Sequence, residues 1–296
     1  MSRPFIFSPR SSPRSIAEKA AQKTTEILAQ VGALPKLAAV VPASRLDVRP
    51  APEMVSSGIP QLDALTGGLA RGCLTEICGA ASSGRTSVLL FALARATERG
   101  EVCALVDSSD AFDPASAAAA GMEMSRLLWV RCGEKYPSRK HRSLQRGKLS
   151  RGKNPQTRRW ESQLEQMLKV TDLLLQSNGF GMIALDLGDV PVRNARRIPL
   201  ASWFRFRRAI EHTPTALLVL EQQPIAGSCS SMLVKVSGKK LSAVSSQLSG
   251  NQPAHVELLD QFEIRAELMR SRLEGTLERK PTQSVANFSS RAAWAG

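Results

Sequence analysis

Aromatic side chains are scarce, at 5% of the 296 residues, and the chain contains only 3 histidines and 1 tyrosine. Long hydrophobic runs are missing altogether. A bilayer-spanning helix needs about 20 consecutive apolar residues, so no such helix is expected. The first residues are interrupted by Arg3, Pro4, Pro9, Arg10, Pro13 and Arg14, which leaves no apolar stretch of signal-peptide length; a cytoplasmic location is the expectation. The five cysteines, Cys73, Cys78, Cys103, Cys132 and Cys229, form no CxxC pair. An odd number without metal-ligand spacing argues against a disulfide framework and against a zinc site. Buried thiols in a reducing compartment are the simpler reading.

Acidic residues are the other shortage. Lysine and arginine number 40 against 26 aspartates and glutamates, a formal charge of +14. The excess is unevenly placed, because residues 135–160 hold 10 basic side chains and no acidic one. Such a distribution points to a polyanionic partner, nucleic acid first and an anionic membrane second.

Apolar residues Ile16, Ala20, Ile27, Leu28 and Val31 recur at helical spacing, which predicts an amphipathic helix over residues 15–37. A linker with Pro42, Pro50 and Pro52 follows. Residues 74–78, 102–106, 127–130, 182–185 and 216–220 read as buried strands, and residues 86–99 and 160–176 as helices. This alternation predicts an α/β protein with a mostly parallel central sheet flanked by helices. Residues 232–236 and 262–269 read as an added antiparallel pair. The expected division is a basic tail, helix and linker over residues 1–53, a core over residues 54–270 with a mobile insertion at residues 134–159, and a flexible tail over residues 271–296.

One motif carries chemistry. After the first core strand comes Gly79-Ala80-Ala81-Ser82-Ser83-Gly84-Arg85-Thr86 and then a helix. Two glycines separated by four residues, then a cation and a hydroxyl, form the phosphate-loop pattern, with Arg in place of Lys. Gly79 and Gly84 let the backbone curl so that amides, including those of Ser82 and Ser83, face an anion at a helix N-terminus. Thr86 stands where a hydroxyl reaches magnesium. Arg85 is no conservative replacement, since a guanidinium is longer, planar and suited to bidentate contacts.

These residues resemble the nucleotide-binding core of RecA-type recombinases. The likeness extends through Ser56-Ser57-Gly58-Ile59-Pro60-Gln61-Leu62-Asp63, Thr66-Gly67-Gly68-Leu69, Leu74-Thr75-Glu76-Ile77, Ala104-Leu105-Val106-Asp107, Asp113-Pro114 and Gly121, spanning residues 56–269. It implies a RecA-like P-loop core that binds ATP and magnesium, and it places the Walker-B aspartate at Asp186, beside Thr86. Where the recombinases carry an Asp-Ala-Glu step, this chain reads Asp107-Ser108-Ser109. Ser109 cannot polarise water as a carboxylate does, and Asp110 is shifted by one position. Gln222 and Gln223 stand where a sensor is expected, with a structural amide as the equal alternative. The segments after Asp186 and after Gln223 are shorter than the DNA loops of recombinases.

Such departures resemble the ImuA group of RecA-like proteins. That likeness implies an accessory role in damage-induced mutagenic translesion synthesis and the SOS response, with DNA, an inactive Y-family polymerase homologue (ImuB), an error-prone DnaE-type polymerase and RecA as partners. Nucleoid association and no membrane partner are expected, and Arg85 together with Ser109 argues against a fast ATPase. Two alternatives stay open: an active DNA-dependent ATPase of the RecA type, and an SOS-linked division inhibitor. The expected DNA contacts are Arg139, Lys140, Arg142, Arg146, Lys148, Arg151, Lys153, Arg158 and Arg159, which would bind without regard to sequence. Phe288 and Trp294, in the expected tail, suit either a partner anchor or packing of the chain end.

Overall fold

The computed structural model describes residues 13–32, 51–132, 155–239, 261–273 and 284–291. The chain divides into two units, Met1–Pro50 and Ala51–Gly296. The first contributes α1 (Pro13–Gly32). This helix starts slightly before the apolar spacing predicts, because proline is preset for a first helical turn; the expected continuation over residues 33–37 lies outside the described residues.

The second unit opens with β1 (Met54–Val55), α2 (Pro60–Thr66) and β2 (Leu69–Ala70). Then come β3 (Leu74–Cys78), α3 (Arg85–Glu98), β4 (Cys103–Asp107), α4 (Pro114–Ala119), β5 (Leu127–Arg131) and α5 (Pro155–Gln176). β6 (Met182–Asp186), α6 (Val192–Ala195), α7 (Leu200–Ile210), β7 (Ala216–Glu221), β8 (Met232–Lys239), β9 (Gln261–Ser271) and β10 (Val285–Arg291) complete the order. Local chemistry sets several boundaries. Pro60 and Pro114 open α2 and α4, Gly67 ends α2 in the left-handed region, and the Asp113 carboxylate caps α4 by accepting from the Ala115 and Ser116 amides.

Eight strands form the main sheet in the order β10-β9-β8-β3-β7-β6-β4-β5. Pairing is parallel from β8 to β5 and antiparallel through β8, β9 and β10. Strands β3, β4 and β7 are buried along their whole length, as strands covered on both faces must be. One face packs Ile77, Leu105 and Leu218 against Leu62, Val88, Leu89 and Leu93 of α2 and α3. The other packs Leu74, Val106 and Val219 against Met167 of α5 and Trp203 and Phe206 of α7. The α/β class with a mostly parallel sheet between helices is therefore the architecture found.

Two expected boundaries change. α5 begins at Pro155, so residues 155–159, expected to end a mobile insertion, belong to a helix that proline initiates. The expected tail over residues 271–296 contributes β10, which pairs with β9 and buries Phe288 opposite Ile264. Its polar composition hides a strand whose partner is already in place, and end-packing is what Phe288 does. Trp294 lies outside the described residues.

Candidate functional site

Because β3, β7, β6 and β4 run parallel side by side, their C-terminal ends open on one edge of the sheet, where open α/β sheets place ligands. Residues 79–86 leave β3 there. A Cβ on Gly79 would collide with the Val236 carbonyl and stand 2.5 Å from Ser83 Oγ. Gly84 has φ +92°, and a Cβ on it would stand 2.5 Å from Ile264 Cδ1. Both positions thus require glycine, one for close approach and one for a left-handed turn as well. The Gly79 amide donates to the Glu221 carbonyl at 3.1 Å, tying the loop to the end of β7. Ser83 is buried, and its hydroxyl has no hydrogen-bond partner.

Arg85 and Thr86 begin α3 and line a cavity of about 160 Å³ together with Asp186 and Asp189 from the end of β6, and with Phe112 and Asp113. The structure thus brings the loop's cation and hydroxyl to the same space as the expected metal-orienting aspartate. Arg85 is buried, and its Nη1 and Nη2 donate to the Gly188 carbonyl at 3.4 and 3.3 Å. Gln222 Nε2 donates to that same carbonyl at 3.0 Å, so the turn after β6 is held from both sides. The Gly188 amide donates to Asp186 Oδ1 at 2.8 Å. Burial pushes the Asp186 carboxyl up to about 6, against the Gly188 hydrogen bond, which pulls it down.

The step after β4 is built differently from what a catalytic carboxylate needs. Asp107 is fully buried and accepts from the amides of Ser109, Asp110 and Phe112 and from Trp129 Nε1. It organises the loop. Ser108 Oγ donates to the Asp186 carbonyl at 2.6 Å, and Ser109 Oγ donates to Asp189 Oδ2 at 3.0 Å. Asp110, in the left-handed region at φ 62°, turns its carboxylate to Arg131 of β5. Arg131 itself lies over the Trp129 ring at 4.7 Å. The Asp110 side chain is thus engaged at the sheet edge. Gln223 Oε1 accepts from Arg196 at 2.7 Å, so Gln222 alone of the two amides touches the site.

Sequence reasoning passed over a carboxyl pair beneath this site. Glu76 of β3 and Glu221 of β7 are both buried to 1% exposure or less. Glu76 Oε1 accepts from the Ile225 and Ala226 amides at 3.0 and 2.7 Å, anchoring the loop after β7, while Oε2 makes no hydrogen bond but lies 3.6 Å from Arg270 Nη2 of β9 in an ion pair. Both Glu221 oxygens also lack one. Burial first, and then the neighbouring Glu76, push the Glu221 carboxyl up to about 11. Burial, with Glu221 and Glu76 nearby, likewise pushes the Cys78 thiol up to about 11. The signal was legible: an acidic residue inside an otherwise apolar buried strand demands a partner or a proton.

Of the expected DNA contacts, Arg139, Lys140, Arg142, Arg146, Lys148, Arg151 and Lys153 lie outside the described residues, and Arg158 and Arg159 fall in the first turns of α5.

A parallel sheet whose phosphate-loop-like turn leaves β3 and whose polar cavity lies at the strand ends defines the class, an α/β protein with a P-loop-like site. Residues 38–135 match the family model of the RecA N-terminal domain, a stretch that includes residues 79–86 and Asp107 but not Asp186. Over 77 residues the chain is 48% identical to Protein RecA of Nostoc punctiforme, covering 26% of this chain and 21% of that protein. Over 78 residues it is 46% identical to Protein RecA of Chlorobaculum tepidum, covering 26% and 22%. The matched stretch is about a fifth of the length of these curated relatives. The crystal structure of the RadB recombinase aligns with TM-score 0.49 and 16% identity, over 79% of this chain and 95% of that one. Over residues 38–135 the chain is similar to the RecA N-terminal domain. Among the described residues no helix is long and apolar enough to cross a membrane.

Proposed function

We propose that this protein is a RecA-like accessory factor of DNA repair, acting in damage-induced mutagenic translesion synthesis in the manner of the ImuA group, with a pocket that binds ATP and turns it over slowly at most. The observation that carries this reading is Ser109. It stands where the recombinase sequence pattern has its glutamate, and its hydroxyl is engaged with Asp189. Asp110, the nearest replacement, is engaged with Arg131, so the water-polarising carboxylate of the recombinase pattern has no counterpart at residues 109 and 110. Residues 79–86 would hold the phosphates through backbone amides, with Arg85 as the cation. The ten basic side chains of residues 135–160 support sequence-independent DNA contact. Partners on this reading are DNA, an ImuB-type inactive polymerase homologue, a DnaE-type polymerase and RecA, with the protein at the nucleoid as part of the SOS response.

The test is phosphate release from ATP with and without saturating single-stranded DNA, alongside co-purification with the polymerase homologue. Slow, DNA-insensitive release together with retention of the homologue is expected. Rapid release stimulated by DNA would overturn the accessory reading in favour of an active DNA-dependent ATPase. Deleting residues 135–153 should flatten the salt dependence of DNA binding, since each phosphate contact removed lowers the slope by about one unit.

A further inference from the structure

We infer that the outer ridge of α7 docks an acidic amphipathic helix of a partner protein, whose apolar anchors seat on Leu200 and Phe204 and whose flanking carboxylates pair with the arginines around them. The ridge shares no residue with the lining of the cavity, so this role is independent of residues 79–86.

The helix has one apolar face that the core uses and a second that it does not. Trp203, Phe206 and Ile210 are buried against the sheet. Leu200 and Phe204 are left outside, 55% and 50% exposed. Four residues apart, they stand one above the other, and Arg208 continues the same line one turn on. A single exposed apolar side chain needs no explanation. Two large ones stacked on one ridge, beside a core stripe that is already complete, match the anchor spacing by which helices recognise one another.

The charge around this ridge is of one sign. Residues 192–210 hold six arginines and no acidic residue. Arg197 pairs with Glu161 at 2.7 Å and Arg205 with Asp172 at 2.6 Å, which ties this segment to α5. Arg193, Arg196 and Arg208 are exposed and have no carboxylate partner among the described residues. Leu200 also borders the loop after β7, since a Cβ on Gly227 would stand 3.7 Å from its Cδ2. The exposed Arg272 is fixed to that loop, donating to the Ser228 carbonyl at 2.8 Å. The apolar ridge is thus bordered by guanidinium groups.

Charge decides the occupant. A second copy of the same ridge would set arginine against arginine. A nucleic-acid strand would suit the guanidiniums, but its phosphates would also meet the Asp172 and Glu161 carboxylates, and aliphatic Leu200 gives a base no stacking platform. A helix with leucine-sized residues at i and i+4 and carboxylates in the turns on either side answers both features. Its apolar side chains leave water on Leu200 and Phe204, and each carboxylate meets a planar fork of donors.

The experiment is fluorescence anisotropy of a labelled helix-forming peptide of about 16 residues, with leucines at i and i+4 and glutamates in the flanking turns, titrated with the full chain. A lysine-for-glutamate peptide and an oligothymidylate are titrated alongside. The parent should bind the glutamate peptide at least about tenfold more tightly than the lysine peptide. Leu200→Ser combined with Phe204→Ser should weaken that binding about tenfold or more, and so should Arg193→Glu combined with Arg208→Glu, with thermal melting showing both variants folded. The charge-reversed variant should prefer the lysine peptide. A parent that binds neither peptide overturns the inference, as do variants that bind the glutamate peptide as tightly as the parent. Oligothymidylate affinity lost in the serine variant while peptide affinity is kept overturns it in favour of a nucleic-acid strand.

Discussion

Glu76 and Glu221 lie on adjacent parallel strands, Glu76 opposite Val219 and Glu221 opposite Cys78, and both carboxyls are removed from water beneath the loop that follows β7. Two negative charges there are untenable, so one carboxyl keeps its proton. Glu76 is the one that stays charged, because its Oε2 lies 3.6 Å from Arg270 Nη2, and Glu221 is the one whose carboxyl is raised. Glu76 is then free to remain the acceptor for the Ile225 and Ala226 amides.

The first prediction concerns stability against pH. The Glu221 carboxyl is raised from 4.5 to about 11 by folding, so its contribution is complete below pH 4.5 and is lost progressively as pH rises toward the folded value. Glu221→Gln, which needs no proton, is expected to be more stable than the parent by roughly 1–3 kcal/mol at pH 8 and near-equal at pH 4.5. Urea denaturation at the two pH values measures this. A parent and variant that lose stability in parallel across that range would show that Glu221 is not the group being titrated.

Gly188→Ala tests the gap between carboxylate and guanidinium. The new methyl would stand 2.9 Å from Asp186 Oδ1 and 3.2 Å from Arg85 Nη1. The arginine end can move, so the loss of stability is expected to stay near 1 kcal/mol. Phosphate-ligand affinity is expected to fall about tenfold as Arg85 is displaced, a change of about 1.4 kcal/mol. Titration calorimetry read beside thermal melting separates the two effects, and an unchanged affinity would count against a role for Arg85 in binding.

Restoring the recombinase glutamate alone should not restore turnover, because Arg85 still stands in place of the phosphate-loop lysine. In Ser109→Glu a carboxylate replaces a hydroxyl that donates to Asp189 Oδ2 at 3.0 Å. The two charges would repel by up to about 4 kcal/mol at a separation of about 4 Å near the surface. Steady-state phosphate release by S109E is expected to remain at the parent's level. The further variant S109E with Asp189→Asn should recover the stability lost, and a large gain in turnover by S109E alone would mean that this carboxylate was the missing component.

The chain end is structural. Phe288 is 7% exposed on β10, so Phe288→Ala is expected to cost about 2–4 kcal/mol in chemical denaturation. A cost within about 0.5 kcal/mol, the range of ordinary surface substitutions, would restore the view of this segment as a tail.

Much of the core was legible because buried parallel strands are apolar along their length. Residues 182–185 and 216–220 stand out for that reason, and glycine spacing marks the loop between β3 and α3 without any knowledge of its neighbours. Strand β10 was not legible, since Ser289, Ser290 and Asn287 resemble a solvated end until β9 offers its edge. Short α7 was overlooked because four arginines, Arg205, Arg207, Arg208 and the adjoining Arg197, mask the buried Trp203 and Phe206.

What the amino-acid order determined by itself was local: the curl of residues 79–86, the substitution of Arg85 and Ser109 for the expected groups, and the concentration of positive charge in one run. Tertiary structure decided which of these groups meet. Gly188 lies about a hundred residues from Arg85 in the chain and only hydrogen-bond distance away in space, because β3, β7 and β6 are neighbours in the sheet. The pairing of Glu76 with Glu221 has the same origin. Charge and burial depend on neighbours supplied by the sheet order, and a linear sequence does not state that order.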